Sequence, residues 1–160
     1  MASQYRYSIT EIYRSLSFEP KCSLVSKDGQ SYSEQNIMSL QQSYIALDWV
    51  KDALDETLQK ALAQLQEQTP ISMQAAYESL HQVSGTLHIA QLADILMLSE
   101  VLEKVVQAVA VGRLHYSNVQ TQVRQVIEVL IEELDHLQRT KSSRTALVYE
   151  QVDLLNALLL

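Results

Sequence analysis

A histidine and a glycine one helical turn apart, His81 and Gly85, are the residues of this chain best suited to chemistry on a helix surface. Around them, apolar residues recur every three or four positions, as in an amphipathic α-helix. Glycine costs about 1 kcal/mol relative to alanine inside a helix, which is a reason to expect close approach of another surface at Gly85. A neutral imidazole is a competent nucleophile near neutral pH. The pair therefore favours a surface histidine that accepts a phosphoryl group from a docked partner.

Helical rotation places the candidate residues away from the core. At 100° per residue, the apolar side chains of this helix fall in one sector, and a second group falls roughly 110–130° from it. That group is His81 with Tyr77, Ser84, Gly85 and His88. The sequence thus predicts an accessible phosphoacceptor, His81, within a docking face formed by the other four residues.

The remaining chain must position this helix. Apolar stripes at helical spacing predict a first helix over Glu34–Gln66, with Ser33 as its N-cap. Thr69 and Pro70 provide an N-cap and a first-turn proline for the helix that carries His81.

Three more helices are expected downstream. Gly112 is placed to end the third, the fourth is expected to be capped near Ser117, and residues 141–143 form a polar break before the fifth. Short connections between long amphipathic helices make sequential neighbours antiparallel. The predicted fold is therefore all-α, an up-and-down antiparallel bundle of four to five helices.

Residues 1–33 differ in composition from the bundle expected at residues 34–160. They are polar and rich in tyrosine, and they favour a loosely attached extension. A short helix at Ile9–Leu16 is one alternative, and a small hairpin of Cys22–Val25 with Gln30–Tyr32 is another.

Bulk properties exclude several classes of protein. The chain has 160 residues, a net charge of −7 and a pI of about 5.0, which argues against a nucleic-acid partner. Cys22 is the single cysteine, as expected in a reducing cytoplasm. No segment has the pattern of a membrane span or a signal peptide. The apolar ending Leu158–Leu160 resembles a cut within a helix, so we expect a fragment of a longer protein.

Two segments carry a resemblance to a known family. Residues 81–85 resemble the motif of histidine-containing phosphotransfer (HPt) domains, in which a histidine, two variable residues, often a lysine, and then a glycine lie on a helix of a four-helix bundle. Together, residues 44–51 (YIALDWVK) and 80–87 (LHQVSGTL) are similar to the FimL-like N-terminal domain of the ChpA/PilL histidine kinases of type IV pilus chemosensory systems. The resemblance covers residues 43–160.

The resemblance implies a CheA-like signalling role in the control of twitching motility. His81 would be the phosphoacceptor, and Gly85 would give steric access to it. The domain would have no catalysis and no cofactor of its own, because a response-regulator receiver or a kinase core would supply Mg²⁺, while the parent protein would be a histidine kinase. Its location would be cytoplasmic, at the cell pole within a chemosensory complex.

One departure from the family motif keeps other functions open. Ser84 stands at the lysine position, and a hydroxyl carries no charge to hold a phosphoryl group. The alternative is a degenerate docking module that recruits a pilus regulatory or polar-localisation scaffold protein. A third hypothesis is a structural bundle whose extension mediates self-association.

Other polar and aromatic residues have simpler interpretations. His88 lies roughly 10 Å along the helix from His81, too far for a shared metal ion. Glu133 and His136 form one Glu-x-x-His pair without a second copy, so we expect a solvated acidic face there and no metal site. Trp49 is expected to be a core or edge aromatic.

Overall fold

The computed structural model describes residues 31–160, with side chains from residue 41 onward. In this range the chain forms five α-helices: α1 (Ser31–Glu67), α2 (Pro70–Ile89), α3 (Ala93–Ala110), α4 (Tyr116–Thr140) and α5 (Thr145–Leu158). The predicted all-α class is confirmed. The alternatives at Ile9–Leu16 and Cys22–Val25 lie outside the described residues. The second hairpin strand is wrong at Tyr32, because α1 begins before it.

Local sequence signals fix the ends of α2 and α3. Thr69 and Ser72 form a reciprocal capping box at the start of α2, and Pro70 occupies its first turn as predicted. Gly112 follows α3 with φ of 75°, and the backbone N–H groups of Gly112 and Arg113 bond to the last turn of that helix. This is the Schellman motif, in which glycine avoids left-handed strain. The predicted cap near Ser117 is slightly late, since α4 begins at Tyr116.

The apolar stripes of all five helices meet in one core. Helix α3 packs against α2, α4 and α5, and α4 also contacts α5. A hydrogen bond from Ser79 to Gln64 joins α2 to α1, and an ion pair of Lys51 with Asp135 joins α1 to α4. The largest fully buried side chains are Leu47, Leu54, Leu58, Leu65, Leu80, Leu87, Ile95, Leu98, Leu102, Ile127, Leu130 and Leu134.

A buried lysine links α1 to α4. Lys51 is 5% exposed and contacts Asp55 in its own helix and Asp135 of α4, the latter at 2.6 Å. Burial alone lowers the pKa of Lys51, but hydrogen bonds and charge interactions with both aspartates outweigh it and raise the pKa. Such a pair holds two helices in register, since separating them would remove one of the two carboxylates that contact the buried ammonium group.

A buried carboxylate starts the last helix. Glu133 of α4 is 0% exposed, and its two oxygens accept the Arg144 backbone N–H at 2.7 Å and the Arg144 Nε–H at 2.6 Å. Arg144 is the N-cap of α5 and makes no capping hydrogen bond with its own side chain. Glu133 therefore supplies the acceptor and the negative charge that the N-terminus of α5 requires.

The ion pairs of Lys51 predict a stability loss at alkaline pH. Its pKa is raised by folding, so the stabilisation is complete below the ordinary value of 10.5 and is lost as the pH rises through the folded-state value. We expect the free energy of unfolding to fall more steeply above pH 10.5 in the wild type than in Lys51→Met, measured by urea denaturation. Lys60→Met, at an exposed lysine of α1, should keep the wild-type slope. Equal slopes in all three proteins would contradict this role.

Removal of the Glu133 carboxylate should loosen α5 first. Glu133→Ala leaves the N-terminus of α5 without its acceptor, so we expect a loss of about 2–3 kcal/mol in the free energy of unfolding. Hydrogen exchange should show the largest gain in the amides of Thr145–Leu158. Glu132→Ala is the matched control, because Glu132 is the exposed neighbour. A loss of similar size in both variants would show that the buried contact is not responsible.

Candidate functional site

His81 lies on the outer surface of α2, and 71% of its side chain is exposed. The ring of Tyr77, one turn earlier, stacks on the imidazole with centroids 6.1 Å apart and an interplanar angle of 26°. Tyr77 is itself half-buried and packs against the core. The imidazole is therefore supported from one side by a fixed aromatic ring and remains open to solvent.

A carboxylate from α3 holds one nitrogen of this ring. His81 Nδ1 lies 2.8 Å from Oε1 of Glu103, whose side chain is 16% exposed. An ionised carboxylate accepts hydrogen bonds but cannot donate one, so Nδ1 carries the proton in this contact. In the neutral ring Nε2 then has an unprotonated lone pair. The geometry leaves Nε2 as the nitrogen available for nucleophilic attack.

The antiparallel pairing of α2 and α3 brings Glu103 to His81. The helices are joined at Ala90–Leu92, where Gln91 takes a left-handed φ of 58° and its N–H bonds to the carbonyl of His88. One turn nearer this connection, the hydroxyls of Ser84 and Ser99 bond at 2.8 Å. Sequence analysis did not identify Glu103. If α2 and α3 are drawn as an antiparallel pair that turns at residues 90–92, Glu103 falls one turn beyond the serine pair and opposite His81.

Ser84 does not belong to the exposed docking face. It is 6% exposed, and its hydroxyl is bonded to Ser99, which is fully buried. The prediction was wrong because Ser84 lies only 40° around α2 from the core residue Leu80, at 100° per residue. Helix α3 covers that flank. The structure therefore places a neutral, internally satisfied hydroxyl where the resemblance expects a cation.

The other predicted residues remain on the surface near His81. Gly85 and His88 are exposed on the same side of α2. A Cβ atom added at Gly85 would meet no atom within 4 Å beyond its chain neighbours and the backbone of its own helix, so no surface within the described chain explains this glycine. Tyr77, His81, Gly85 and His88 form a continuous strip, which we call the His81 face. Its charged contact is the carboxylate of Glu103.

Two other predictions require correction. The expected solvated acidic face near His136 is wrong at Glu133, which is fully buried as the cap of α5. Trp49 is neither a core nor an edge aromatic, since 85% of it is exposed. It lies on the side of α1 opposite the apolar stripe. The apolar period of α1 places Trp49 outside the core stripe, but the prediction gave more weight to the usual burial of tryptophan side chains.

The described residues contain neither a metal-binding cluster nor a membrane-spanning helix. No group of three or more histidine, cysteine, aspartate or glutamate side chains in this part of the chain could hold a metal ion. None of the helices in residues 31–160 combines the length and apolar character needed to cross a membrane. No protein-family model, curated protein or solved structure matches the chain. Function is therefore inferred from the geometry around His81.

Gly85 tests whether the helix is less stable at this position in exchange for close approach of a partner to its backbone. Gly85→Ala adds a methyl group into open space within a helix, so we expect the free energy of unfolding to rise by about 1 kcal/mol. Urea denaturation measures this change directly. A partner that approaches the helix backbone closely should at the same time bind the more stable variant less well. Destabilisation by the alanine would contradict the open environment of Gly85.

Proposed function

We propose that this chain is an HPt-like signalling domain in which Nε2 of His81 accepts and relays a phosphoryl group. The observation that supports this proposal is the exposed imidazole whose Nδ1 is bound to Glu103 at 2.8 Å. A histidine held in this way has its reactive nitrogen directed away from the hydrogen bond and its ring orientation restricted. Both features favour nucleophilic attack on a docked donor.

The phosphoryl transfer needs no general base. The Nε2 lone pair forms the N–P bond while the bond from phosphorus to the donor oxygen breaks, and that oxygen leaves with the bonding electrons. The ring gains positive charge because Nδ1 keeps its proton. The carboxylate of Glu103 is placed to stabilise this charge through the same hydrogen bond. Glu103 is thus a positioning residue, and His81 is the phosphoacceptor.

The phosphoryl oxygens need positive charge from outside the His81 face. Phosphoryl transfer depends on neutralising those oxygens. The charged side chain paired with His81 among the described residues is the carboxylate of Glu103, and Ser84 is neutral and internally bonded. We infer that the partner supplies Mg²⁺ and basic side chains. A response-regulator receiver or a kinase core has this chemistry.

The sequence resemblance gives the proposal its biological setting. Residues 44–51 and 80–87 are similar to segments of the FimL-like domain of type IV pilus chemosensory kinases. On that basis we propose a role in a CheA-like system that controls twitching motility, at the cytoplasmic cell pole. The parent protein would be a histidine kinase, with this domain as a non-catalytic part.

The buried Ser84–Ser99 pair supports a second candidate function. Because the charged partner of His81 among the described residues is a carboxylate and Ser84 is a neutral hydroxyl, the same face would also suit a docking module that recruits a pilus regulatory or polar-localisation protein without phosphorylation. In that function, exposed His81 and the accessible part of Tyr77 would provide contact area, and Gly85 would allow close approach. Partner binding would then survive the loss of the imidazole.

Labelling of His81 separates the two candidates. We expect incubation with phosphoramidate, or with a kinase core, Mg²⁺ and ATP, to give an acid-labile label that is absent in His81→Gln. Glu103→Gln should be labelled about tenfold more slowly, since a neutral amide replaces a charge-assisted hydrogen bond. Glu100→Gln, an exposed glutamate of α3, is the matched control and should label at the wild-type rate.

A spectroscopic measurement distinguishes positioning from a structural effect. Imidazole nitrogen shifts of His81 should report the Nδ1–H tautomer in the wild type and a mixture of tautomers in Glu103→Leu. Absence of label in the folded wild-type protein with both donors would overturn the phosphoacceptor role. Retained partner binding in His81→Gln would then favour the docking module.

A further inference from the structure

Helix α1 carries a second exposed surface that the proposed phosphotransfer does not use. Trp49 is 85% exposed and Ile45, one turn earlier, is 55% exposed. Asp52 and Glu56 lie on the same side of the helix, three and seven residues after Trp49, and both are exposed. We call Ile45, Trp49, Asp52 and Glu56 the outer face of α1.

This face has no partner within the described chain. At 100° per residue Trp49 points away from Leu47, Leu54 and Leu58, which fill the core. None of the described residues forms an ion pair with Asp52 or Glu56, whereas the neighbouring Asp48 is bound to Lys141. An exposed tryptophan beside an exposed isoleucine is unusual on a helix surface, and tryptophan is enriched at the energetic centres of interfaces.

The chemistry of the face specifies the kind of partner. The π face of a tryptophan attracts cations, arginine most often, and a carboxylate one turn away can accept the same guanidinium in a bidentate contact. Ile45 adds an apolar contact on the other side of the ring. We propose that the outer face of α1 docks a basic amphipathic helix of another protein, with arginine on Trp49 and its carboxylates and an aliphatic residue on Ile45.

Charge disfavours two other occupants. A second copy packed through the same face would bring the Asp52 and Glu56 carboxylates of both copies together, in a chain with a net charge of −7. An anionic lipid surface would repel these carboxylates as well. A cationic peptide segment gains from both the aromatic ring and the acidic residues. The inference is independent of His81, which lies on α2.

The single tryptophan makes the test direct. Trp49 is the only tryptophan of the chain, so its emission reports on this face alone. The probe is a synthetic amphipathic helix of about 18 residues, long enough to form a helix, with leucine and arginine on one side. We expect it to shift Trp49 emission to shorter wavelength. Its leucine–glutamate counterpart should give no shift.

Matched variants assign the binding to the named residues. By anisotropy of the labelled peptide, Trp49→Ala and the pair Asp52→Asn/Glu56→Gln should each lower affinity about fivefold or more. The pair Glu150→Gln/Asp153→Asn, which removes two exposed charges of α5, should change it less than about twofold. His81→Gln should bind as the wild type does, which separates this surface from the phosphotransfer site.

Three outcomes would overturn the proposal. One is equal binding of the arginine and glutamate peptides, which would indicate apolar adhesion only. Another is unchanged affinity in Trp49→Ala with circular dichroism showing an intact fold. The third is a concentration-dependent emission shift without peptide, with dimer formation in sedimentation experiments, which would assign the face to a second copy of this chain.

Discussion

Helix α2 packs antiparallel to α3, and both side-chain hydrogen bonds of the candidate site cross this one interface. The two side-chain pairs, Ser84 with Ser99 and His81 with Glu103, are separated by 15 and 22 residues in sequence. They therefore lie one turn apart on each helix, as an antiparallel pair requires. The pair nearer the connection, Ser84 with Ser99, is buried, and its hydrogen bond fixes the register of α2 against α3. The outer pair then meets at the surface, where one member is available to a partner.

The turn at residues 90–92 makes that register possible. Gln91 adopts a left-handed conformation that glycine would adopt without strain, while Gly112 occupies the equivalent position after α3. The bundle tolerates the cost at Gln91 because Leu87 and Leu92 on either side are buried, and the N–H of Leu92 bonds to the carbonyl of Leu87.

Most features that were predicted correctly from the sequence depend on one helix, and the residues missed at the candidate site depend on two. The caps at Thr69, Pro70 and Gly112 are local signals, and the apolar stripes needed only the period of 3.6 residues. Ser84 was misplaced because its angle around α2 lies at the core boundary, where the neighbouring helix decides burial. Glu103 was missed for the same reason, since its role comes from α3 facing α2.

Two buried charges show the same limitation in the core. Lys51 lies between the core residues Leu47 and Leu54 on the apolar stripe, but its charge is typical of a surface residue, and Glu133 has acidic neighbours that suggest the same. The structure buries both because each has a partner on another element, Asp135 for Lys51 and Arg144 for Glu133. The spacing of apolar residues along one helix does not reveal a charged residue that is buried because it pairs with a residue of another element. Such residues become predictable only after the helices have been placed in register.

The charges of the His81 face also bear on how long a phosphoryl group would stay on the histidine in the proposed transfer. In the proposed transfer, the carboxylate of Glu103 would stabilise positive charge on the imidazole as the N–P bond forms. It gives no stabilisation to the phosphoryl oxygens, which carry negative charge of their own. A site of this kind would stabilise the cationic ring of the phosphorylated product but would leave the phosphoryl oxygens without a counter-charge until a partner supplies it. It suits a relay, in which a partner with Mg²⁺ removes the group soon after it arrives, better than a store of phosphohistidine.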